Sequence, residues 1–311
     1  MGLLGALPAR FRRERVLIVG CGDVGQRVVR ELGGGRRVQV MALTSQPARV
    51  PMLRALGVRP LVGDLDRPAT LDRLAGLATR VLHLAPPPGE GLPDWRVDPR
   101  TRALLRALAR RGAPRTLVYG STTGVYGDRQ GAWVSESAPV SPHTPRAWRR
   151  VDAEAQVQWY GRRRGVRTMV LRIPGIYAPD RPGGTPRERL LRGTPVLRPE
   201  DDVYTNHIHA DDLARACARA LWLARPQRSV HVVDDSQLRM GEYYDLAADL
   251  LGLPRPPRVA RDAAQASLPL SLLSFMGESR RLRNERMKRE LRLRLRYPTV
   301  ADGLRGAVGA Q

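Results

Sequence analysis

The segment VLIVGCGDVG, residues 16–25, carries glycines in the spacing Gly20-x-Gly22-x-x-Gly25. Between a strand and a helix, that spacing can hold the pyrophosphate of a dinucleotide. Gly20 permits the tight turn, Gly22 lets the backbone approach the phosphates, and Gly25 allows close helix packing. The helix that follows adds free N–H groups and the positive end of its dipole. After the second strand, where NAD-preferring sites usually carry an acid, the chain reads Ala42-Leu43-Thr44-Ser45-Gln46. No carboxylate there repels a 2′-phosphate, and Ser45 and Arg49 can accept one, which gives NADP a slight preference over NAD. Asp64, in Val62-Gly63-Asp64-Leu65, can accept from an adenine amine while the Leu65 N–H meets the ring. The alternative for Asp64 is a cap on a helix starting near Pro68.

Two other groupings invite chemistry. His207-x-His209-x-Asp211 brings together side chains of metal-ligand type. Cys21 lies in the glycine loop and Cys217 in a predicted helix; neither has C-x-x-C spacing, so both read as reduced thiols. No G-x-S-x-G nucleophile elbow occurs, which excludes an α/β-hydrolase.

Alternating elements must position these residues. Strands are predicted at 15–19, 37–43, 58–63, 80–85, 115–121 and 166–173. Helices fall between them: one through Leu32 that stops at Gly33-Gly34-Gly35, then others near 49–56, 68–76, 98–111 and 146–163. Repeated strand–helix units predict an α/β fold with a Rossmann-type, doubly wound parallel sheet. Residues 177–204 are rich in Pro, Gly and Arg; a helix at 211–224 and a strand at 229–234 then restore the pattern. The expected organisation is an NAD(P)-binding core at 14–176, joined by 205–233, and a smaller substrate lobe from 177–204 and 234–311.

With 311 residues, 42% of them apolar, the chain can bury a sizeable core. No run approaches the roughly 20 apolar residues of a membrane span. The apolar stretch in MGLLGALPARFRRER is too short for a secretory signal, so a cytoplasmic location is expected. The net charge is +23, and of 53 basic residues all but Lys288 are arginine. That bias is spread along the chain, and aromatics are only 5% with no basic stretch interleaved among them. The charge therefore reads as solvated helix faces, not as a specific nucleic-acid surface.

The pieces VLIVGCGDVG, VGDL, VLHLAPP, VYGSTTGVYGD, VLRIPGIYAP, NHIHADDLARA and VHVVDD occur in order over about 16–235. In that order they resemble the short-chain dehydrogenase/reductase superfamily, in its extended epimerase/dehydratase branch and most closely its atypical members. The tail LRNERMKRELRLRLRYPTVADGL is similar too. The resemblance implies a nicotinamide cofactor, with Val24 and Ala85 joining the contacts read above, and a small-molecule substrate. It also implies a Ser or Thr paired with Tyr-x-x-x-Lys, where the Tyr is the general base and the Lys lowers its pKa and holds the nicotinamide ribose. Thr122 matches the Ser/Thr. It implies further that the histidines of NHIHADD flank the substrate cleft while Asp211 or Asp212 caps the helix.

The dyad departs from this pattern. Anchored on Ala153-Glu154, the family's Lys falls on Arg150 and its Tyr on Arg146. Arginine stays protonated and cannot act as a base near neutral pH. Arg150 can still contact a ribose or phosphate. Tyr126 is the best substitute acid–base group, since nearby cations can tune a phenol, and His143 is the second candidate. The expected function is an NAD(P)-dependent oxidoreductase or epimerase/dehydratase acting on a small or sugar-nucleotide-like substrate. The alternative is a catalytically silent NAD(P)-binding sensor or scaffold. No metal is required, and a homodimer is compatible with the sequence.

Overall fold

The computed structural model describes residues 14–33, 38–89, 94–268, 272–273 and 276–305. The N-terminal segment 1–13, Gly34 and Gly35 of the predicted helix stop, residue 37 of the predicted second strand, and 306–311 of the predicted lobe lie outside these residues.

The chain opens with β1 (Glu14–Val19), the glycine loop and α1 (Asp23–Glu31). β2 (Val38–Thr44) leads through a 3-10 turn, Pro47–Arg49, into α2 (Val50–Ala55), and β3 (Arg59–Val62) follows. Next come β4 (Arg80–His83), α3 (Pro99–Ala109), β5 (Thr116–Thr122), a 3-10 turn at Thr123–Tyr126, and β6 (Trp133–Val134). The helix α4 (Pro145–Arg164) precedes β7 (Arg167–Ile173), β8 (Gly175–Tyr177), α5 (Arg187–Leu191), β9 (Val196–Leu197) and β10 (His207–His209). The remainder is α6 (Ala210–Leu223), β11 (Arg228–His231), α7 (Met240–Leu251), β12 (Arg258–Val259), α8 (Arg261–Ser267), β13 (Arg281–Leu282), α9 (Glu285–Glu290) and α10 (Val300–Arg305). Among the described residues no helix is long and apolar enough to cross a membrane.

The central sheet has seven strands in the order β11-β7-β5-β4-β1-β2-β3. β1 pairs in parallel with β2 on one side (Val16 opposite Val40) and with β4 on the other (Ile18 opposite Leu82). Strands buried on both faces read as continuous apolar runs, as VLIV at 16–19 does. The chain moves outward through β2 and β3 and then returns to β4, so strand order reverses between β1 and β4. Ligands of such sheets bind at the carboxyl ends of the strands flanking that reversal. Here those ends are Gly20 and Leu84–Ala85.

The predicted helix at 68–76 is a 3-10 helix, Pro68–Leu74. With three residues per turn, Leu71 and Leu74 fall on one side, and both are fully buried. β4 stops at His83 because the Leu84 and Ala85 N–H groups both turn to the Val19 carbonyl, at 2.7 and 3.0 Å. β11 stops at His231, short of the expected 234.

By backbone proximity the chain forms two compact units, 1–120 with 152–170 and 217–228, and 121–151 with 171–216 and 229–311. The first has a core running from Leu17 and Met41 through Leu71, Leu104 and Tyr119 to Val157 and Val170. The second has a core around Tyr177, Val196, Met240, Tyr244, Ala248 and Leu304, and a smaller cluster of Val125, Tyr126, Val134, Val233 and Leu282.

Candidate functional site

In the first unit the three glycines differ in what they demand. Gly20 has φ 87°, and a Cβ on it would lie 2.4 Å from the Ala85 nitrogen and 2.7 Å from the Ala85 Cα. Both the left-handed backbone and the clash require glycine. Gly22 has φ −79°, and a Cβ there would meet nothing within 4 Å. It is the N-cap of α1, and no side chain caps the helix. With no side-chain cap from Gly22, the first turn, which includes half-buried Val24, offers the kind of backbone N–H groups that bind anions at helix N-termini. A Cβ on Gly25 would sit 3.2 Å from the Gly20 carbonyl oxygen, so glycine keeps the helix close to the loop. Asp23, in the same first turn, is tied to Arg27 at 3.1 Å. A cradle with one open backbone position and uncapped helix N–H groups fits a dinucleotide pyrophosphate.

The rim of this cradle is polar. Ser45 is exposed, inside a turn in which the Gln46 N–H donates to Thr44 Oγ1 at 3.2 Å. Arg49 is fixed against the loop, its Nη2 donating to the Cys21 carbonyl at 2.7 Å. Burial pushes the Cys21 thiol up to about 11, although Arg49 pulls the other way. Asp64 uses Oδ1 to accept from the Asp66 N–H at 3.0 Å, and its own N–H donates to Thr70 Oγ1 at 2.8 Å. Leu65 beside it is buried. A rim contact not foreseen from sequence is Asp66 with Arg100. Arg100 donates Nε and Nη2 to its two carboxylate oxygens at 2.8 and 2.6 Å, and Nη1 to the Pro86 carbonyl at 3.2 Å. Hydrogen bonding by Arg100 holds the Asp66 carboxyl below its usual value. The residues Asp66 and Arg100 are 34 apart, so no local spacing announces the pair.

Thr122 and Tyr126 lie in the second unit. Thr122 Oγ1 accepts from the Gly124 N–H at 3.2 Å and so caps the 3-10 turn that follows. Tyr126 has no exposed surface. Its hydroxyl lies 2.5 Å from His231 Nε2 and 2.6 Å from Arg172 Nη1. His231 Nδ1 faces the Arg283 carbonyl at 3.0 Å. A carbonyl can only accept, which assigns the imidazole proton to Nδ1 and leaves Nε2 to accept from the phenol. Arg172 then donates to the phenolic oxygen. Burial, followed by the charges of Arg172 and Arg286, pushes His231 down to about 3 despite the Arg283 carbonyl. The imidazole is neutral at physiological pH. In this arrangement Tyr126 anchors the turn after Thr122; direct proton exchange with a substrate requires it to leave the network.

Arg146, Arg149 and Arg150 occupy the first turns of α4. Arg149 and Arg150 are buried. Desolvation, then the charges of Arg150 and Arg149, lowers Arg146, yet its side chain is exposed and stays charged. All three lie near the N-terminal, positive end of the helix dipole. His143 is exposed, with Nε2 3.5 Å from Ser141 Oγ.

His207 and His209 are buried among aromatic rings. His207 lies 4.3 Å from Tyr243 and His209 3.8 Å from Tyr297, centroid to centroid. Burial pushes His207 down to about 4. Among the described residues no group of three or more His, Cys, Asp or Glu is placed to hold a metal. Asp212 does not cap α6: its carboxylate accepts from the Arg296 and Tyr297 N–H groups, each at 2.9 Å, and from Arg215 at 2.7 Å. It is fully buried and fastens the C-terminal segment to α6.

Residues 16–233 match the model of the NAD dependent epimerase/dehydratase family. No functionally curated protein matches the chain. Among solved structures, a functionally unknown conserved protein from Silicibacter pomeroyi is 31% identical over 95% of this chain and 98% of that one, with a TM-score of 0.78. UDP-glucose 4-epimerase from Thermotoga maritima, solved with UDP-glucose, is 18% identical over 95% and 97% of the two chains, TM-score 0.77. UDP-glucuronic acid 4-epimerase from Bacillus cereus, solved with NAD, is 17% identical over 94% and 96%, TM-score 0.72. These two epimerases share the fold with this chain. The family match spans well over half of the sequence, and the chain belongs to the NAD-dependent epimerase/dehydratase family.

Proposed function

We propose that the protein binds NAD or NADP on the Gly20–Gly25 loop and acts as an oxidoreductase or epimerase on a small, sugar-nucleotide-like molecule. The observation that carries this reading is the cradle itself: Gly20 closed by Ala85, Gly22 open, and α1 uncapped. Ser45, Asp64 and Leu65 complete the adenosine side, and Arg49 beside the loop supports the slight preference for NADP. The bound dinucleotide supplies hydride exchange. The substrate oxygen calls for a second set of groups. Thr122 hydrogen-bonds it, and Arg150 and Arg146 stabilise negative charge or hold a ribose or phosphate. His143 is the exposed candidate for proton exchange, and Tyr126 acts by fixing the turn that carries Thr122. Residues 14–176 with 205–233 serve the cofactor, and 177–204 with 234–311 select the substrate. The UDP-sugars bound by the structural relatives make nucleotide sugars the first substrates to try. The cytoplasm, where Cys21 and Cys217 stay reduced, is the compartment this function fits.

A second reading is favoured by Arg146 and Arg150 at the dyad positions: a nicotinamide-dinucleotide sensor without turnover. Nicotinamide fluorescence separates the two. The enzyme reading expects NADPH or NADH to bind and a substrate from a panel of aldehydes, ketones and UDP-sugars to be turned over. Binding with silence across the panel establishes the sensor, and absence of binding rejects both.

A further inference from the structure

Lys288 is the single lysine among 53 basic residues. It stands on the wall of a cleft of about 490 Å³ in the second unit, lined also by Asp235, the run Arg292–Leu295 and Pro298. Asp235 Oδ1 lies 2.6 Å from Lys288 Nζ and accepts from Asn284 Nδ2 at 2.7 Å. That carboxylate is engaged, and among the described residues Arg292 and Arg294 have no carboxylate partner. Three cations against one carboxylate leave the wall with a net charge of +2 (3 − 1).

The backbone shows how this wall is held. Leu291 and Leu293 are buried while Arg292 and Arg294 are exposed. Both arginines line the cleft together with Lys288. Arg292 has φ 50° and follows Leu291, the C-cap of α9. Glycine is the residue favoured in that left-handed position. An arginine there accepts a conformational cost, and such cost persists where the side chain is used. The cleft lies within the C-terminal stretch assigned above to substrate selection, but no cofactor or substrate residue named individually lines it; the inference rests on that reading only for its place in the chain, and a test that reads anion binding without turnover fails or succeeds separately from it.

From this geometry we infer a second anion site: the cleft binds the phosphate groups of a phosphorylated small molecule. Arg292 and Arg294 present forked donors to the oxygens, and Lys288 adds a point charge. The test uses the full chain and inorganic pyrophosphate. Acylation of Lys288 by an N-hydroxysuccinimide ester is followed by peptide mass at constant ionic strength, with the N-terminal amine as internal control. Pyrophosphate is expected to protect Lys288 saturably and leave the N-terminal amine unprotected. Arg292→Gly and Arg294→Ala should each raise the half-protecting concentration by about tenfold, the scale of one charge-assisted hydrogen bond. Glycine suits φ at position 292, so Arg292→Gly keeps or improves thermal stability and its effect is not one of unfolding. Protection that does not saturate, that sodium chloride reproduces at the same ionic strength, or that is identical in both variants would overturn the site and leave only ionic screening.

Discussion

The glycine loop and the turn after β5 both follow a parallel strand, and both end in a tight helical turn, but they are held in opposite ways. The loop is fixed by backbone alone: the Gly20 φ, the approach of Ala85, and the open face at Gly22. The Thr122–Tyr126 turn is fixed by side chains from distant parts of the chain, Arg172 and His231, meeting at one phenol. A backbone-made site tolerates drift elsewhere in the sequence. A site made of side chains changes its chemistry when single residues change.

The contrast is tested most strongly at the loop. Gly22→Asp introduces no clash but sets a carboxylate where the proposed site would hold the pyrophosphate. Like charges in close contact cost several kcal/mol, so NADPH and NADH should bind at least about 100-fold more weakly. The melting temperature should stay near that of the parent protein. Gly20→Ala should behave in reverse, losing stability as well as binding, because the methyl group meets the Ala85 backbone. Calorimetry on both variants checks the pair; a stable, tightly binding Gly20→Ala protein contradicts the backbone account.

Tyr126→Phe addresses the other side. Leaving Arg172 and His231 without the phenol should cost about 1–3 kcal/mol of stability, the usual penalty for unpaired buried polar groups. Cofactor affinity should not move. If Tyr126 instead serves as the acid–base group, stability holds and turnover falls by about 10²–10⁴-fold. Denaturant melts beside initial rates distinguish these outcomes.

Acid should find the same network. His231 and His207 are pushed down to about 3 and about 4. Below pH 6.5 the unfolded chain binds protons at these positions that the folded chain refuses. Stability is therefore present above pH 6.5 and falls on acidification towards pH 4, by about 1.4 kcal/mol per pH unit for each histidine. Replacing His231 by Gln should flatten that slope by about half. A stability profile that is level between pH 6.5 and 4 is the contrary result.

The smallest effect is expected at Arg49. Arg49→Ala should weaken NADP by a few-fold and leave NAD unchanged, since an ion pair at an exposed rim is worth about 0.2–1 kcal/mol. Parallel titrations with both cofactors measure it, and an equal loss for both removes the argument for NADP.

The sequence by itself determined the parallel strands, the glycine loop and the family. These depend on patterns within a few residues: apolar runs for buried strands, glycine where φ is positive, and a helix beginning at Asp23. Tertiary structure alone decided where Tyr126 points, because its partner His231 is 105 residues away. It alone turned Asp212 from a helix cap into an anchor for Arg296 and Tyr297, more than 80 residues on. It alone set Arg292 and Arg294 beside Asp235 in one cleft. Local rules fix backbone dihedral angles and the period of burial; which distant side chain reaches a given hydroxyl or carboxylate is settled only when the packed elements bring them together.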